Sequence, residues 1–97
     1  MTMHEDGDQL RIRVERSIRK ILIDDLGVEA AIVETSAADT PLLGRGVGLD
    51  SLEALALATG LEEAFDISID DEELTAELFV SIAALTDFVS AKVTAKP

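Results

Sequence analysis

Residues 50–65, DSLEALALATGLEEAF, decide the fold of this 97-residue chain. Aspartate is a favoured N-cap, and Glu53 follows Asp50 at the spacing of a capping box. Apolar residues then recur every three or four positions, as on one face of a helix: Ala54, Leu57, Ala58, Leu61 and Phe65. The stretch predicts a helix from Asp50 to about Phe65. Gly60 lies inside it at a cost of about 1 kcal/mol relative to alanine, for no reason visible in the sequence.

The same helix carries a second apolar stripe. Leu52, Leu55 and Thr59 lie apart from the core stripe and are flanked by Glu53, Glu62 and Glu63. An apolar anchor with an acidic rim is typical of a docking surface. Single exposed leucines are also common on surfaces that bind nothing. Periodicity alone leaves both interpretations open.

Three further stretches complete the predicted fold. Residues 10–26 form an amphipathic helix with Gly27 past its end, and a helix capped by Ser81 follows near the C-terminus. Residues 71–78 predict a short helix with acidic residues in its first turn. A long connection over residues 27–49 lies between the first two main helices, and a short helical turn is possible near Ala30. The fold class is all-α: a bundle of three main helices and one short helix.

Charge narrows the range of partners. The chain has 20 acidic and 8 basic residues and a net charge of −12. This balance argues against nucleic acid and anionic membranes as partners, because both attract lysine and arginine side chains. A basic protein surface is the natural complement. The stretch 50–91 holds eleven acidic residues and no lysine or arginine, so the second and third helices should form a strongly negative side.

The chain is long enough for one domain. We expect a flexible acidic N-terminal tail over residues 1–9, containing the single histidine His4, a folded domain over residues 10–93 and a C-terminal tail over residues 94–97. The start does not resemble a signal peptide, no apolar run is long enough to span a membrane, and there is no cysteine. We therefore expect a cytoplasmic monomer.

A family resemblance rests on several segments. Residues 48–52, GLDSL, resemble the Gly-x-Asp-Ser-Leu signature of acyl carrier proteins. Four further segments are similar to the family: DTPLL at 39–43, LEEAF at 61–65, ISI at 67–69 and SIAALTDFV at 81–89. The resemblance covers roughly residues 10–93 and implies the fold of an acyl carrier protein.

The resemblance also implies a function. The family's motif serine, here Ser51, receives 4′-phosphopantetheine from coenzyme A, and Asp50 matches the preceding aspartate. The thiol of this arm then carries acyl groups as thioesters. A phosphopantetheinyl transferase and acyl-loading and condensing enzymes with basic surfaces would be the partners, and the carrier itself would not be an enzyme. The residues implied to contact these partners are Leu52, Glu53, Leu55, Glu62 and Glu63.

Three positions depart from the pattern of fatty-acid carriers. Ala56 stands where an acid is frequent, and Thr59 where methionine is frequent. Arg45 brings a positive charge into a glycine-rich loop over residues 43–49. These departures favour a specialised pathway over primary fatty-acid synthesis.

Other functions remain possible from the sequence. A peptidyl or aminoacyl carrier, or an unmodified acidic helical adaptor, would have the same composition. Asp66, Ser68, Asp70, Glu72 and Glu77 match much of the ligand spacing of a calcium-binding loop, although Asp71 replaces the usual glycine. Because the usual glycine is missing, we predict no metal site. We also predict no catalytic residue in this chain.

Overall fold

The computed structural model describes residues 7–96. Its helices are α1 (Gly7–Asp24), α2 (Ala30–Thr35), α3 (Ser51–Phe65) and α4 (Ile82–Thr94), with 3₁₀ turns at Asp71–Glu73 and Ala76–Phe79. The described residues form no strand, only an isolated bridge between Leu43 and Leu49. The predicted all-α class is confirmed.

A single apolar core joins α1, α3 and α4, because each of these helices buries one stripe. The predicted stripe of α3 is buried except for its last member, Phe65, which is half-buried. The long connection packs on the bundle through Val33, Leu42, Val47 and Leu49, although Ile32 stays exposed. The fully buried aliphatic side chains of the core are Val14, Ile18, Leu22, Val33, Leu42, Leu57, Leu61, Ile82, Leu85 and Val89.

Gly60 lies where α1 approaches α3. A Cβ atom at Gly60 would be 3.2 Å from Cδ1 of Ile21 on α1, so the missing side chain makes room for that isoleucine. Gly27 ends the first helical region with φ of 72°, and Val28 N–H donates to the Leu22 carbonyl at 2.9 Å. A left-handed glycine after a helix closes it without the steric cost that other residues incur.

The helix limits differ from the expected domain limits of 10–93. Residues 7–9, which were expected in the tail, belong to α1 and lead directly into the buried Leu10. Asp8 also stands in the first turn, where the helix dipole favours an acid. Thr94 ends α4. Residues 1–6, including His4, and residue 97 lie outside the described part.

The predicted third helix over residues 71–78 is wrong as a continuous helix. Two 3₁₀ turns occupy this stretch, and Thr75 between them is extended, with φ of −107° and ψ of 165°. In the first turn, Glu73 accepts hydrogen bonds from Asp70 N–H at 2.9 Å and from Lys92 Nζ at 2.8 Å. A side chain on α4 therefore helps to set the conformation of this connection.

Candidate functional site

The start of α3 has the predicted capping box. Asp50 Oδ1 accepts a hydrogen bond from Glu53 N–H at 2.8 Å, and Glu53 Oε1 accepts one from Asp50 N–H at 3.0 Å. The first intrahelical bond runs from Ala54 N–H to the Asp50 carbonyl at 2.9 Å. The N–H groups of Ser51 and Leu52 have no acceptor within residues 7–96. Two N–H groups at the positive end of the helix dipole are therefore available to an anion.

Ser51 is exposed at the first position of α3. Its hydroxyl makes no hydrogen bond within the described chain. By contrast, Ser81 Oγ accepts from Ala84 N–H, Ser36 Oγ donates to the Ile32 carbonyl, and Ser90 is buried. Ser51 combines an accessible hydroxyl with a helix N-terminus, which no other serine in the described part does.

The loop before Ser51 is tightly closed. Val47 N–H donates to the Pro41 carbonyl at 2.8 Å, and Leu49 N–H donates to the Leu42 carbonyl at 3.0 Å. A Cβ at Gly46 would lie 1.8 Å from the Pro41 carbonyl oxygen, so only glycine fits there. Three residues of this loop, Leu42, Val47 and Leu49, have buried side chains. These side chains anchor the loop on the core and fix the position of Ser51.

A cleft of about 220 Å³ opens beside Ser51. Its walls come from the loop, from α3 and from the connection after α3: Leu43, Ala54, Leu55, Leu74, Thr75, Ala76 and Phe79. Most of these side chains are apolar. Sequence periodicity does not reveal the cleft, because its walls are separated by up to 36 positions and periodicity reports on one element at a time.

The second stripe of α3 is exposed as predicted. Leu52 is 78% and Leu55 48% exposed, while Glu53 is half-buried and Glu63 is exposed. Leu55 also lines the cleft. The described residues thus contain an apolar surface directly beside Ser51. Its role in partner binding stays a prediction.

Glu62 differs from the other predicted contact residues. Its Oε2 accepts a hydrogen bond from Ile69 N–H at 2.8 Å, and Ile69 is buried. The carboxylate therefore holds the connection that follows α3. The sequence placed Glu62 only on the acidic rim.

Charges are unevenly distributed over the molecule. Several cations of α1 have partners: Arg11 pairs with Asp87, Arg19 with Glu15, and Lys20 with Asp24. The hydrogen bond from Lys20 to Asp24 raises the pKa of the lysine. In the connection after α3, the pKa of Glu73 is lowered mainly by the hydrogen bond from Lys92 and to a smaller extent by the hydrogen bond from Asp70 N–H. The α3 surface and the connection remain dominated by carboxylates.

The predicted calcium-type spacing does not produce a cluster. Within residues 7–96, no group of three or more histidine, cysteine, aspartate or glutamate side chains is arranged to hold a metal ion. In the same part of the chain, no helix has the length and apolar character needed to cross a membrane.

Comparison with known families identifies the class of domain. The sequence model of a family described as phosphopantetheine attachment site matches residues 16–89. The chain belongs to this family and is a carrier domain of the acyl-carrier type, a site of 4′-phosphopantetheine attachment. Carrier domains of this family are typically non-catalytic. No solved structure gives a significant match with the chain.

The start of α3 fits the arm. An exposed hydroxyl offers an attachment point, and the Ser51 and Leu52 N–H groups can face a phosphodiester. When bound, the arm supplies a terminal thiol that holds a carried group as a thioester. The cleft beside Ser51 offers apolar surface to such a group.

Proposed function

We propose that this protein is an acyl carrier protein that holds acyl intermediates on a 4′-phosphopantetheine arm attached to Ser51. The observation that supports Ser51 is its exposed hydroxyl at the capped start of α3, beside an apolar cleft that this serine lines. The other exposed serine among the described residues, Ser68, lies in the connection after α3 and lacks this setting.

Attachment requires a simple displacement at phosphorus. The Ser51 Oγ forms a bond to the β-phosphorus of coenzyme A, adenosine 3′,5′-bisphosphate leaves, and the hydroxyl proton passes to a base of the transferase. No base from this chain hydrogen-bonds Ser51 Oγ within residues 7–96, so we assign the base to the transferase. The carrier presents the nucleophile, and the rigid loop keeps it accessible.

The exposed leucines and carboxylates of α3 support the choice of partners. We assign Leu52, Glu53, Leu55, Glu62 and Glu63 to docking of a phosphopantetheinyl transferase and of acyl-loading and condensing enzymes with basic surfaces. An apolar anchor gives affinity, and a charged rim speeds encounter. We further propose a monomeric carrier in the cytoplasm, which the absence of cysteine and the excess of negative charge favour.

The lining of the cleft favours an acyl cargo, such as a fatty acyl or polyketide group, over a polar one. A peptidyl or aminoacyl group would gain little from the apolar walls. The departures at Arg45, Ala56 and Thr59 favour a specialised pathway.

The test is incubation with coenzyme A and a broad-specificity phosphopantetheinyl transferase, followed by intact-mass and peptide mass spectrometry. We expect one phosphopantetheinyl group on Ser51, none on the Ser51→Ala variant, and normal modification of Ser68→Ala, the matched control. An unmodified wild-type protein would favour the acidic adaptor. An arm on Ser51→Ala would contradict the site assignment.

A further inference from the structure

Arg45 is an unpaired cation at the tip of the loop that precedes Ser51. Its side chain is exposed, and it makes no hydrogen bond or ion pair within residues 7–96. It is the single basic residue in residues 21–91, a stretch that holds sixteen acidic residues. An isolated positive charge in so acidic a stretch needs an explanation.

The closed loop brings the segment that carries Arg45 alongside the segment that leads into Ser51. The bridge between Leu43 and Leu49 is parallel, so the two segments run side by side in the same direction at this point. Arg45 lies two residues after Leu43, and Ser51 lies two residues after Leu49, so each follows one leucine of the bridge. Leu43 and Ser51 also line the same cleft. The tip of the loop and the first residue of α3 therefore belong to one surface.

A phosphodiester on Ser51 would meet two carboxylates. Asp50 and Glu53 lie on either side of Ser51 and fold back to the helix start through the capping box. The capping box also occupies the Asp50 and Glu53 N–H groups, which leaves those of Ser51 and Leu52. Two N–H donors beside two carboxylates are an incomplete anion site.

We propose that the Arg45 guanidinium is the counter-charge of the phosphodiester on Ser51 and restrains the start of the arm. Arginine presents planar donors that suit phosphate oxygens. Gly44, with φ of 62°, and Arg45 form an exposed turn, so the Arg45 side chain is open to solvent and to a group attached at Ser51. Arg45 is a positioning residue, and this inference rests on the proposed attachment at Ser51.

Arg45 should contribute differently to the stability of the apo and the modified protein. Before modification Arg45 has no partner in the described chain, so its loss should leave the melting temperature of the apo form nearly unchanged. After modification its loss removes an ion pair beside two carboxylates. A merely structural arginine would affect both forms equally.

The experiment compares wild type, Arg45→Gln and Arg16→Gln in the apo and phosphopantetheinylated forms. Arg16, on α1, is the matched control, because it is exposed and has no ion pair within residues 7–96. Mass spectrometry first establishes that the arm is on Ser51. Thermal unfolding at low and high salt and the ³¹P NMR spectrum then report on Arg45.

We expect Arg45→Gln to lower the melting temperature of the modified form by about 1–5 °C more than that of the apo form at low salt. This difference should shrink at high salt, and the ³¹P resonance should shift. Arg16→Gln should show neither effect. Equal effects of Arg45→Gln on both forms with an unchanged ³¹P resonance would overturn the Arg45 inference alone. Absence of the arm from Ser51 would overturn the proposed function as well.

Discussion

The backbone N–H of Ile69 donates a hydrogen bond to Glu62 Oε2 at 2.8 Å, across the turn that ends α3. Asp66 in this turn adopts a left-handed conformation with φ of 53°, and Ile69 is buried on its far side. Glu62 therefore stabilises the connection that forms one wall of the cleft. Its neighbour Glu63 is exposed and has no such bond.

Glu62 and Glu63 should accordingly respond differently to substitution. Glu62→Ala leaves the buried Ile69 N–H without its acceptor, and we expect a loss of about 1–3 kcal/mol in the free energy of unfolding. Glu62→Gln keeps an acceptor and should lose less. Glu63→Ala should stay within about 0.5 kcal/mol. Urea unfolding measures these values; equal losses for Glu62→Ala and Glu63→Ala would contradict the structural role of Glu62.

The leucines of α3 should affect partner binding more than stability. We expect Leu52→Asp to slow modification by a transferase about tenfold or more, since hot-spot contacts contribute about 2 kcal/mol. Leu52 is 78% exposed, so the fold should survive. Ile12→Asp on α1 is the control, because Ile12 is also exposed, at 56%. Modification rates at substrate concentrations below KM test this prediction. A rate for Leu52→Asp that equals the Ile12→Asp rate would place docking elsewhere.

Two glycines should differ sharply when replaced by alanine. At Gly46 the new Cβ meets a backbone carbonyl at 1.8 Å, so the loop must open; we expect a loss of about 1–3 kcal/mol and slower modification of Ser51. At Gly60 the new Cβ meets the flexible end of Ile21 at 3.2 Å, and alanine favours the helix by up to about 1 kcal/mol. Gly60→Ala should therefore be neutral or stabilising. Thermal unfolding and modification rates measure both; a neutral Gly46→Ala would show that the loop tolerates opening.

Acid should weaken the contact between Glu73 and Lys92. The pKa of Glu73 is lowered from its ordinary value of 4.5, first by the hydrogen bond from Lys92. A lowered carboxyl pKa means that the stabilisation is present above pH 4.5 and is lost as pH falls through the lower, folded-state value. The stability difference between wild type and Glu73→Gln should therefore shrink toward low pH. Melting temperatures from pH 7 to pH 3 measure this stability difference. The control is Glu72→Gln, which removes an exposed unpaired carboxylate; its difference from wild type should not shrink toward low pH. A constant difference for Glu73→Gln would contradict the assignment.

Acyl groups should stabilise the protein according to their length. Each methylene that enters the cleft contributes about 0.8 kcal/mol, and binding to the folded state alone raises the melting temperature. We expect long saturated acyl forms to melt above short ones until the cleft of about 220 Å³ is full. Ala76→Phe, in the cleft wall, should abolish the length dependence, whereas Ala56→Phe, outside the cleft, should keep it. Equal melting temperatures for short and long acyl forms of the wild type would favour a polar or aminoacyl cargo.

Local patterns predicted α3 well. The capping box of Asp50 and Glu53 spans three residues, and the buried and exposed stripes follow from the periodicity of a single helix. The position of Ser51 at the helix start follows from the same local rules. These features need no knowledge of the rest of the chain.

Features that depend on two distant segments were missed. Glu73 in the 3₁₀ turn at Asp71–Glu73 contacts Lys92 of α4, and the room at Gly60 is used by Ile21 of α1. Tertiary contacts override local helix preference in such places. The cleft beside Ser51 likewise forms only when the loop at Leu43 meets the connection at Phe79.

The separation of charge gives the molecule a permanent electric dipole moment. Residues 50–91 hold eleven of the twenty acidic residues and none of the eight basic ones. For the basic partner surfaces proposed above, this dipole would produce a torque as well as an attraction and would turn α3 toward the partner before contact. Rotational search is a large part of the delay in protein association, so this alignment shortens it. The benefit falls with ionic strength as the Debye length shrinks below the size of the molecule.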